Sequence, residues 1–362
     1  MTSVGFLALV VVGLSYVVHA DPEPSSLPGA VPAATGAPPA STMAPLATPT
    51  RPTRRATPAV PGTRAAPTAT RSPAVSTNRP GPTLRVRPVL PTVRPTLPPE
   101  PPPPTVELTL TTFNVLGASH TTRSGKRPGM ASGTVRARRA AQLIRRHGSD
   151  VVGFQELQRS QLATLRRVTN LEFYPGSSGD SENSIGWRRD EWTAVERHTV
   201  GIPYFNGGRR DMPFVRLRSV ETGLEAWFAN FHNPADTSRF RGQQRFRNRA
   251  TAIETQLANR LIDGTALPVF ITGDMNERGE YFCRLTSRSP MVAARGGTNN
   301  GRCLPGRPRA VDWIFGSQGV AFTDYFEDRS HLVDITTDHP VISARVRIVG
   351  KPGSPLNGLP GN

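Results

Sequence analysis

Along its C-terminal two thirds the chain switches repeatedly between apolar positions of period two and of period 3.6. "VELTLTTFNVLG" (residues 106–117) alternates as a strand does and runs into a glycine-containing loop. "TVRARRAAQLIRRHG" (134–148) places Val135, Ala140, Leu143 and Ile144 at helical spacing, with Gly148 as the stop. "DVVGFQEL" holds a short apolar strand, 151–154, that ends on Gln155 and Glu156, and "RSQLATLRRV" (159–168) reads as a second helix. Residues 212–236 make two strands joined at "ETG", and 241–264 make a long amphipathic helix with Gly264 past its end. "LPVFITGDMNERGE" (267–280) is a buried strand that breaks at a glycine, followed by a short helix around "GEYFCRL". Three strand-like runs, 309–317, 320–328 and 339–348, complete the pattern. Strands outnumber helices and hairpins mix with crossovers, which predicts a two-sheet α/β sandwich rather than a purely parallel sheet.

Composition sets the limits of that domain. Residues 21–104 carry 24 of the 37 prolines and almost no periodic apolar pattern, so they cannot bury enough surface to offset chain entropy. They read as a disordered Pro/Thr/Ala-rich linker, an extended stalk that is partly polyproline-like. The folded domain is expected over 105–349, with a flexible tail at 350–362. The first twenty residues contain an apolar run closing on "VHA", a small-residue cleavage site before Asp21. Residues 1–20 read as a cleaved signal peptide, with an uncleaved membrane anchor as the alternative, and either sends the protein to the cell surface or beyond it.

Charge changes the picture less than its size suggests. The net charge is +17, with Lys126 and Lys351 the only lysines among 44 basic residues. Nine arginines against Asp21, Glu23 and Glu100 give the stalk +6, and the rest of the chain carries +11. A basic domain favours polyanions such as nucleic acid or anionic lipid, although a solvated arginine surface explains it as well. Cys283 and Cys303 are expected to pair in an oxidising compartment, with two buried free thiols as the alternative. Two cysteines without a neighbouring histidine do not make a zinc site.

The candidate chemistry lies where the strands end. Asn114 closes "TFN", Glu156 "FQE" and His232 "FHN"; Asp274 and Asn276 stand in "GDMN", Asp312 in "VDW", and Asp338 with His339 in "TDHP". Singly, each has a turn-forming or capping explanation. Together, carboxylates and amides gathered at one edge repel one another unless a cation sits among them. Hard oxygen ligands suit Mg²⁺, with Mn²⁺ or Ca²⁺ as alternatives. Histidines beside such a site can move protons or hold a phosphate during phosphoester hydrolysis.

The ordered set resembles the endonuclease/exonuclease/phosphatase superfamily, which includes deoxyribonuclease I-like nucleases, neutral sphingomyelinases and inositol polyphosphate phosphatases. The resemblance spans residues 106–348, and "GDMN" followed by "VDWIF" and "TDHP" is its specific part. It implies a four-layer αββα sandwich of two packed mixed sheets with the site at one edge. Glu156 resembles the principal metal ligand, with Asn114 beside it and Asp338 helping. Asp274 would orient or deprotonate the attacking water, and Asn276 would contact the scissile phosphate. His339 would bind that phosphate or act as acid/base, oriented by Asp312, and His232 would protonate the leaving oxygen.

"SIGWRRDEW" resembles a strand where many members carry tyrosine, but here Trp187 stands, which leaves it only a packing role. Arg188 is a candidate phosphate contact or one surface arginine among many. His120, His147, His198 and His331 have no motif support and read as surface or loop residues. The expected activity is in-line attack of water on a Mg²⁺-held phosphodiester of DNA or RNA. Sphingomyelin, another phospholipid, an inositol phosphate, or a non-catalytic surface-displayed binding role are the alternatives. No obligate protein partner is indicated, and a monomer is expected. Substrate choice should fall to the loops at 117–133 and 287–303.

Overall fold

Alternation in the first apolar run becomes β1 (Thr105–Asn114), and Ser132 starts α1 (Gly133–His147) by accepting the Val135 N–H. Gly148, at φ +60°, ends that helix in the left-handed conformation where glycine carries no penalty. The chain continues through β2 (Val151–Gln155), α2 (Arg159–Val168), β3 (Leu171–Tyr174), β4 (Ile185–Arg188) and β5 (Trp192–Pro203). Next come β6 (Arg209–Ser219), β7 (Glu225–His232), α3 (Gln244–Thr265), β8 (Val269–Asp274) and α4 (Gly279–Thr286). The last elements are β9 (Met291–Ala293), β10 (Gly297–Asn300), β11 (Arg302–Pro305), β12 (Asp312–Ser317), β13 (Ala321–Asp328), α5 (His331–Asp334) and β14 (Val341–Val349). This computed structural model describes residues 102–307 and 310–350; the expected leader, the stalk up to residue 101 and the tail from 351 lie outside the described residues.

Two mixed six-stranded sheets form, one ordered β13-β14-β1-β2-β4-β3 and the other β5-β6-β7-β8-β12-β9. Three apolar bodies give four layers. The inner faces of both sheets meet over Leu110, Trp187, Val215, Phe228, Phe270 and Ile314. On the outer face of the first sheet, Phe113 and Phe154 pack under Ala140, Leu143 and Leu165 of α1 and α2. On the outer face of the second, Ile271 and Phe315 pack under Ala250, Leu257 and Phe282 of α3 and α4. Each such side chain taken fully out of water contributes about 1.5–3 kcal/mol. The architecture is therefore the αββα sandwich. Among the described residues no helix is long and apolar enough to cross a membrane.

Near the edge where β1, β2, β7 and β8 end, the two sheets are joined by polar contacts instead of apolar ones. A Cβ at Gly153 would lie 2.0 Å from Thr272 Oγ1 and 2.5 Å from Asn230 Oδ1, so this close approach excludes any side chain. Gln155 Nε2 donates to Asn230 Oδ1 at 2.6 Å, and Asn230 Nδ2 donates to the Phe154 carbonyl at 2.7 Å. These bonds fix β2 against β7, and hence Glu156 against His232.

Several local expectations need correction. Val135 is 42% exposed, because the buried stripe of α1 runs through Arg136, Ala137, Ala140, Ala141 and Ile144. α3 runs through Gly264 to Thr265 and stops at Ala266, which takes φ +54°. The stretch 287–303 is mostly strand: β9 extends the second sheet, and β10–β11 form a hairpin that the Cys283–Cys303 disulfide pins to α4.

Candidate active site

Strand direction brings the chemistry to one edge. β1 and β2 run parallel, as do β7 and β8, so Asn114, Glu156, His232 and Asp274 all leave their strands on the same side. β12 and β14 run antiparallel to these neighbours, so residues at their starts arrive at the same edge. His232 and Asp274 are register partners across β7 and β8, and Asp274 and Asp312 are partners across β8 and β12.

Asp274 is the centre of the group, 2% exposed. Asn114 Nδ2 donates to its Oδ2 at 3.1 Å and to Glu156 Oε1 at 3.2 Å, so one amide bridges carboxylates from the two sheets. His232 Nε2 lies 3.6 Å and His339 Nε2 3.7 Å from the same Asp274 Oδ2. His339 Nδ1 sits 3.0 and 3.1 Å from the Asp312 oxygens. Asn276 accompanies Asp274 in its turn: its N–H donates to Asp274 Oδ1 at 2.9 Å, and its amide donates to the Asn233 carbonyl at 2.8 Å.

Three non-glycine residues beside the site hold positive φ: Leu116 at 53°, Glu156 at 58° and Asn276 at 50°. Such conformations cost about 1–3 kcal/mol each and persist only where the surroundings hold them. One restraint is Arg136, fully buried, whose Nη1 donates to the carbonyls of Val115 (2.7 Å), Leu116 (2.6 Å) and Thr336 (3.1 Å). It ties the loop after β1 to the loop that carries Asp338 and His339. Nothing in the sequence sets it apart from the other arginines.

Charge within the group is set by mutual contact. Burial alone would raise the Glu156 carboxyl, but the His120 hydrogen bond, the charge of His232 and the Gly117 N–H outweigh it and hold the group well below the usual range. Burial would lower His339, but the carboxylates of Asp312 and Asp274 raise it well above an ordinary histidine. His120 is raised mainly by its hydrogen bond to Glu156, 3.2 Å away.

A divalent cation fits the donor set. Glu156, Asp274 and Asp338 offer hard oxygens at one edge, and Glu156 opens into a cavity. Asn114 was expected as a ligand, but its oxygen accepts the Leu116 N–H at 3.0 Å and its amide faces the carboxylates. Asp338 pairs with Arg127 at 3.4 Å. Ligand atoms of Asp274, Asp312 and His339 also lie within 4.8 Å of one another, although Nδ1 of His339 is already spent on Asp312.

Arg188 does not belong to the site. β4 runs antiparallel to β2, so its last residue lies at the start of β2, where Arg188 pairs with Asp150, Asp190 and Glu191. Trp187 beside it is core. His120, expected as a loop histidine without a role, joins Glu156, and His147 is nearly buried against Asp328 at 2.9 Å. Tyr204, also missed, packs edge-on to His232 with ring centres 5.9 Å apart. No periodicity marks His120 or Tyr204, which lie outside the helices and strands of the two sheets' layers.

One cavity opens beside each of the two histidines. Next to His232 and Glu156 lies a space of about 310 Å³, lined also by His120, Lys126, Tyr204 and Phe240. Next to His339 and Asp338 lies one of about 340 Å³, lined also by Arg127, Met130 and Arg329.

A family model described as endonuclease/exonuclease/phosphatase family matches residues 111–339. No curated protein sequence matches the chain. Among solved structures, an endonuclease/exonuclease/phosphatase family protein from Bacteroides thetaiotaomicron is 18% identical, with TM-score 0.53, covering 67% of this chain and 98% of its own. The B. thetaiotaomicron mannosyl-6-phosphatase is 19% identical, with TM-score 0.51 and coverages of 66% and 99%. D. rerio TDP2 complexed with single-strand DNA product is 16% identical, with TM-score 0.51 and coverages of 66% and 98%. At these identities the likeness is one of fold.

Proposed function

Because this chain belongs to the endonuclease/exonuclease/phosphatase family, we propose that it is an exported, divalent-cation-dependent phosphodiesterase that hydrolyses nucleic acid. The observation that carries the reading is the pair of cavities, one at each histidine beside Asp274. A phosphodiester has a substituent on either side of phosphorus, whereas a monoester needs room on only one. Nucleic acid is favoured over lipid by Lys126 and Arg239 at the His232 cavity, which pair with no carboxylate among the described residues. The single-strand DNA product bound by D. rerio TDP2 supports the same choice. The apolar leader and Thr/Pro-rich stalk support export.

Held by Glu156 with Asp338, a hard cation such as Mg²⁺ would neutralise phosphate charge as the bond breaks. Asp274 accepts the proton of the attacking water. Asp312 holds Nδ1 of His339 and so presents Nε2, with its proton, to a phosphate oxygen. His232 gives a proton to the leaving oxygen from the wall of the other cavity. Asn276 keeps one amide N–H on Asn233 and offers the second to the phosphate.

The test incubates the full chain with DNA, RNA, sphingomyelin vesicles, inositol phosphates, mannose 6-phosphate and bis(4-nitrophenyl) phosphate, in Mg²⁺ or EDTA. Cleavage of nucleic acid and of the chromogenic diester in Mg²⁺ alone, with at least a roughly 100-fold loss in His232→Ala and His339→Ala, supports the reading. Turnover confined to a monoester or to the lipid overturns it.

A further inference from the structure

The cavity beside His232 has a built aromatic wall. Phe205 and Phe240 stack with ring centres 4.5 Å apart and planes 12° apart, and Tyr204 lies 4.5 Å from Phe205 at 57°. The rings come from two separate loops that the chain locks together. Asp236 Oδ1 accepts the Gln243 N–H at 2.9 Å, and Gln243 Oε1 accepts the Asn206 N–H at 3.0 Å. The second loop closes on itself, with Thr237 N–H donating to the Phe240 carbonyl at 2.8 Å and Phe240 N–H donating to Thr237 Oγ1 at 3.0 Å. The wall is thus formed in advance of any ligand, at a cost already met in folding.

The charges select the occupant. Arg210 is engaged by Asp180 and Glu182, and Glu156 by His120. Among the described residues neither Lys126 nor Arg239 pairs with a carboxylate, and Arg239 stands 5.3 Å from the centre of the Phe240 ring. A flat ring flanked by phosphates meets both features. A quaternary-ammonium headgroup would meet two uncompensated cations. A volume of about 310 Å³ is at the small end of ligand pockets and holds a single base.

We propose that this cavity receives the base of an unpaired nucleotide next to the scissile phosphate, stacked on the Phe205–Phe240 wall, so that the enzyme selects single-stranded over duplex nucleic acid. A paired base cannot lay its face on this wall without leaving its stack. Aromatic platforms hold single strands without sequence preference, since every base has a π-face. The inference rests on the reading of the chain as a nucleic-acid phosphodiesterase and adds which form of the polymer it takes.

The experiment uses the full chain in EDTA, so that binding is read without cleavage, and an oligonucleotide carrying 2-aminopurine, whose fluorescence falls on stacking. Wild type and Phe240→Trp should quench the single strand, and Phe240→Ala should not. Phe240→Ala should also bind the single strand about 10-fold less tightly and lose the wild-type preference for an intact strand over one with an abasic site. Quenching that survives Phe240→Ala, or a duplex bound and quenched as well as the single strand, overturns the proposal. If wild type quenches the strand yet cleaves no diester in Mg²⁺, the pocket stands and the phosphodiesterase reading fails. If it cleaves nucleic acid without quenching, the pocket fails alone. Hydrolysis of sphingomyelin vesicles with no strand binding overturns both.

Discussion

His339 Nδ1 lies 3.0 Å from one oxygen of Asp312 and 3.1 Å from the other, and Asp312 is 1% exposed. A carboxylate with both oxygens on one imidazole nitrogen fixes the ring's tautomer and leaves Nε2 free to work. Asp312→Asn keeps the shape but presents an amide, whose N–H faces a nitrogen that must itself donate. The variant should fold with an unchanged thermal midpoint and lose about 10²- to 10⁴-fold in kcat, with KM little altered. Steady-state kinetics beside a melting curve check this.

His120 competes for the carboxylate expected to hold the cation. Its proton is stabilised by Glu156, and a cation on Glu156 would oppose that proton. Raising the pH through the elevated His120 range should therefore tighten Mg²⁺ binding. Calorimetric titration should give a dissociation constant that falls as pH rises through the titration of His120 in wild type, with a shallower slope in His120→Gln.

Arg136 has a fork of donors that lysine cannot reproduce. Its carbonyl partners include Ala131 (3.0 Å) and Gly117 (3.2 Å) besides Val115, Leu116 and Thr336. Arg136→Lys leaves several buried carbonyls unpaired and should cost about 3 kcal/mol or more. The urea midpoint measures the loss, and activity should fall with it because both loops at the site depend on this one side chain.

Glu254, in α3, has no exposed surface, and burial pushes its carboxyl up to about 8 against the lowering effect of Tyr281 and Asn233. The folded state then keeps a proton that the unfolded chain releases near its ordinary value of 4.5. Between those values the folded state binds more protons, so stability falls as pH rises. Glu254→Gln has no proton to lose. Its thermal midpoint relative to wild type should climb from pH 5 to pH 9; a flat difference would show that Glu254 is already ionised.

Much of this site was legible because strand ends announce themselves. An apolar run followed by Asn, Glu, His or Asp is a local pattern, and strand direction gathers Asn114, Glu156, His232, Asp274, Asp312 and His339 at one edge. Arg188 shows the limit of that reading: it also follows an apolar run, but β4 points the other way and delivers it to the far edge. His120, Tyr204, Phe205 and Phe240 lie in or beside loops, where no period marks a buried face. Their roles depend on contacts between segments distant in sequence, such as Gln243 joining the loops that carry Phe205 and Phe240. Arg136 was hidden by composition, since a buried guanidinium in a chain with 42 arginines has no signature of its own. The strands in 287–303 were hidden by their glycines and polar residues, in a segment stabilised by the disulfide and by pairing with β12.

The most direct test of the account is kcat/KM for a phosphodiester at saturating Mg²⁺, measured on the full chain and on Asp274→Asn with folding checked by circular dichroism. Asp274 touches both histidines and shares the Asn114 amide with Glu156, so the variant should lose at least about 10³-fold while staying folded. A folded Asp274→Asn that retains activity within about 10-fold of wild type would place the chemistry elsewhere.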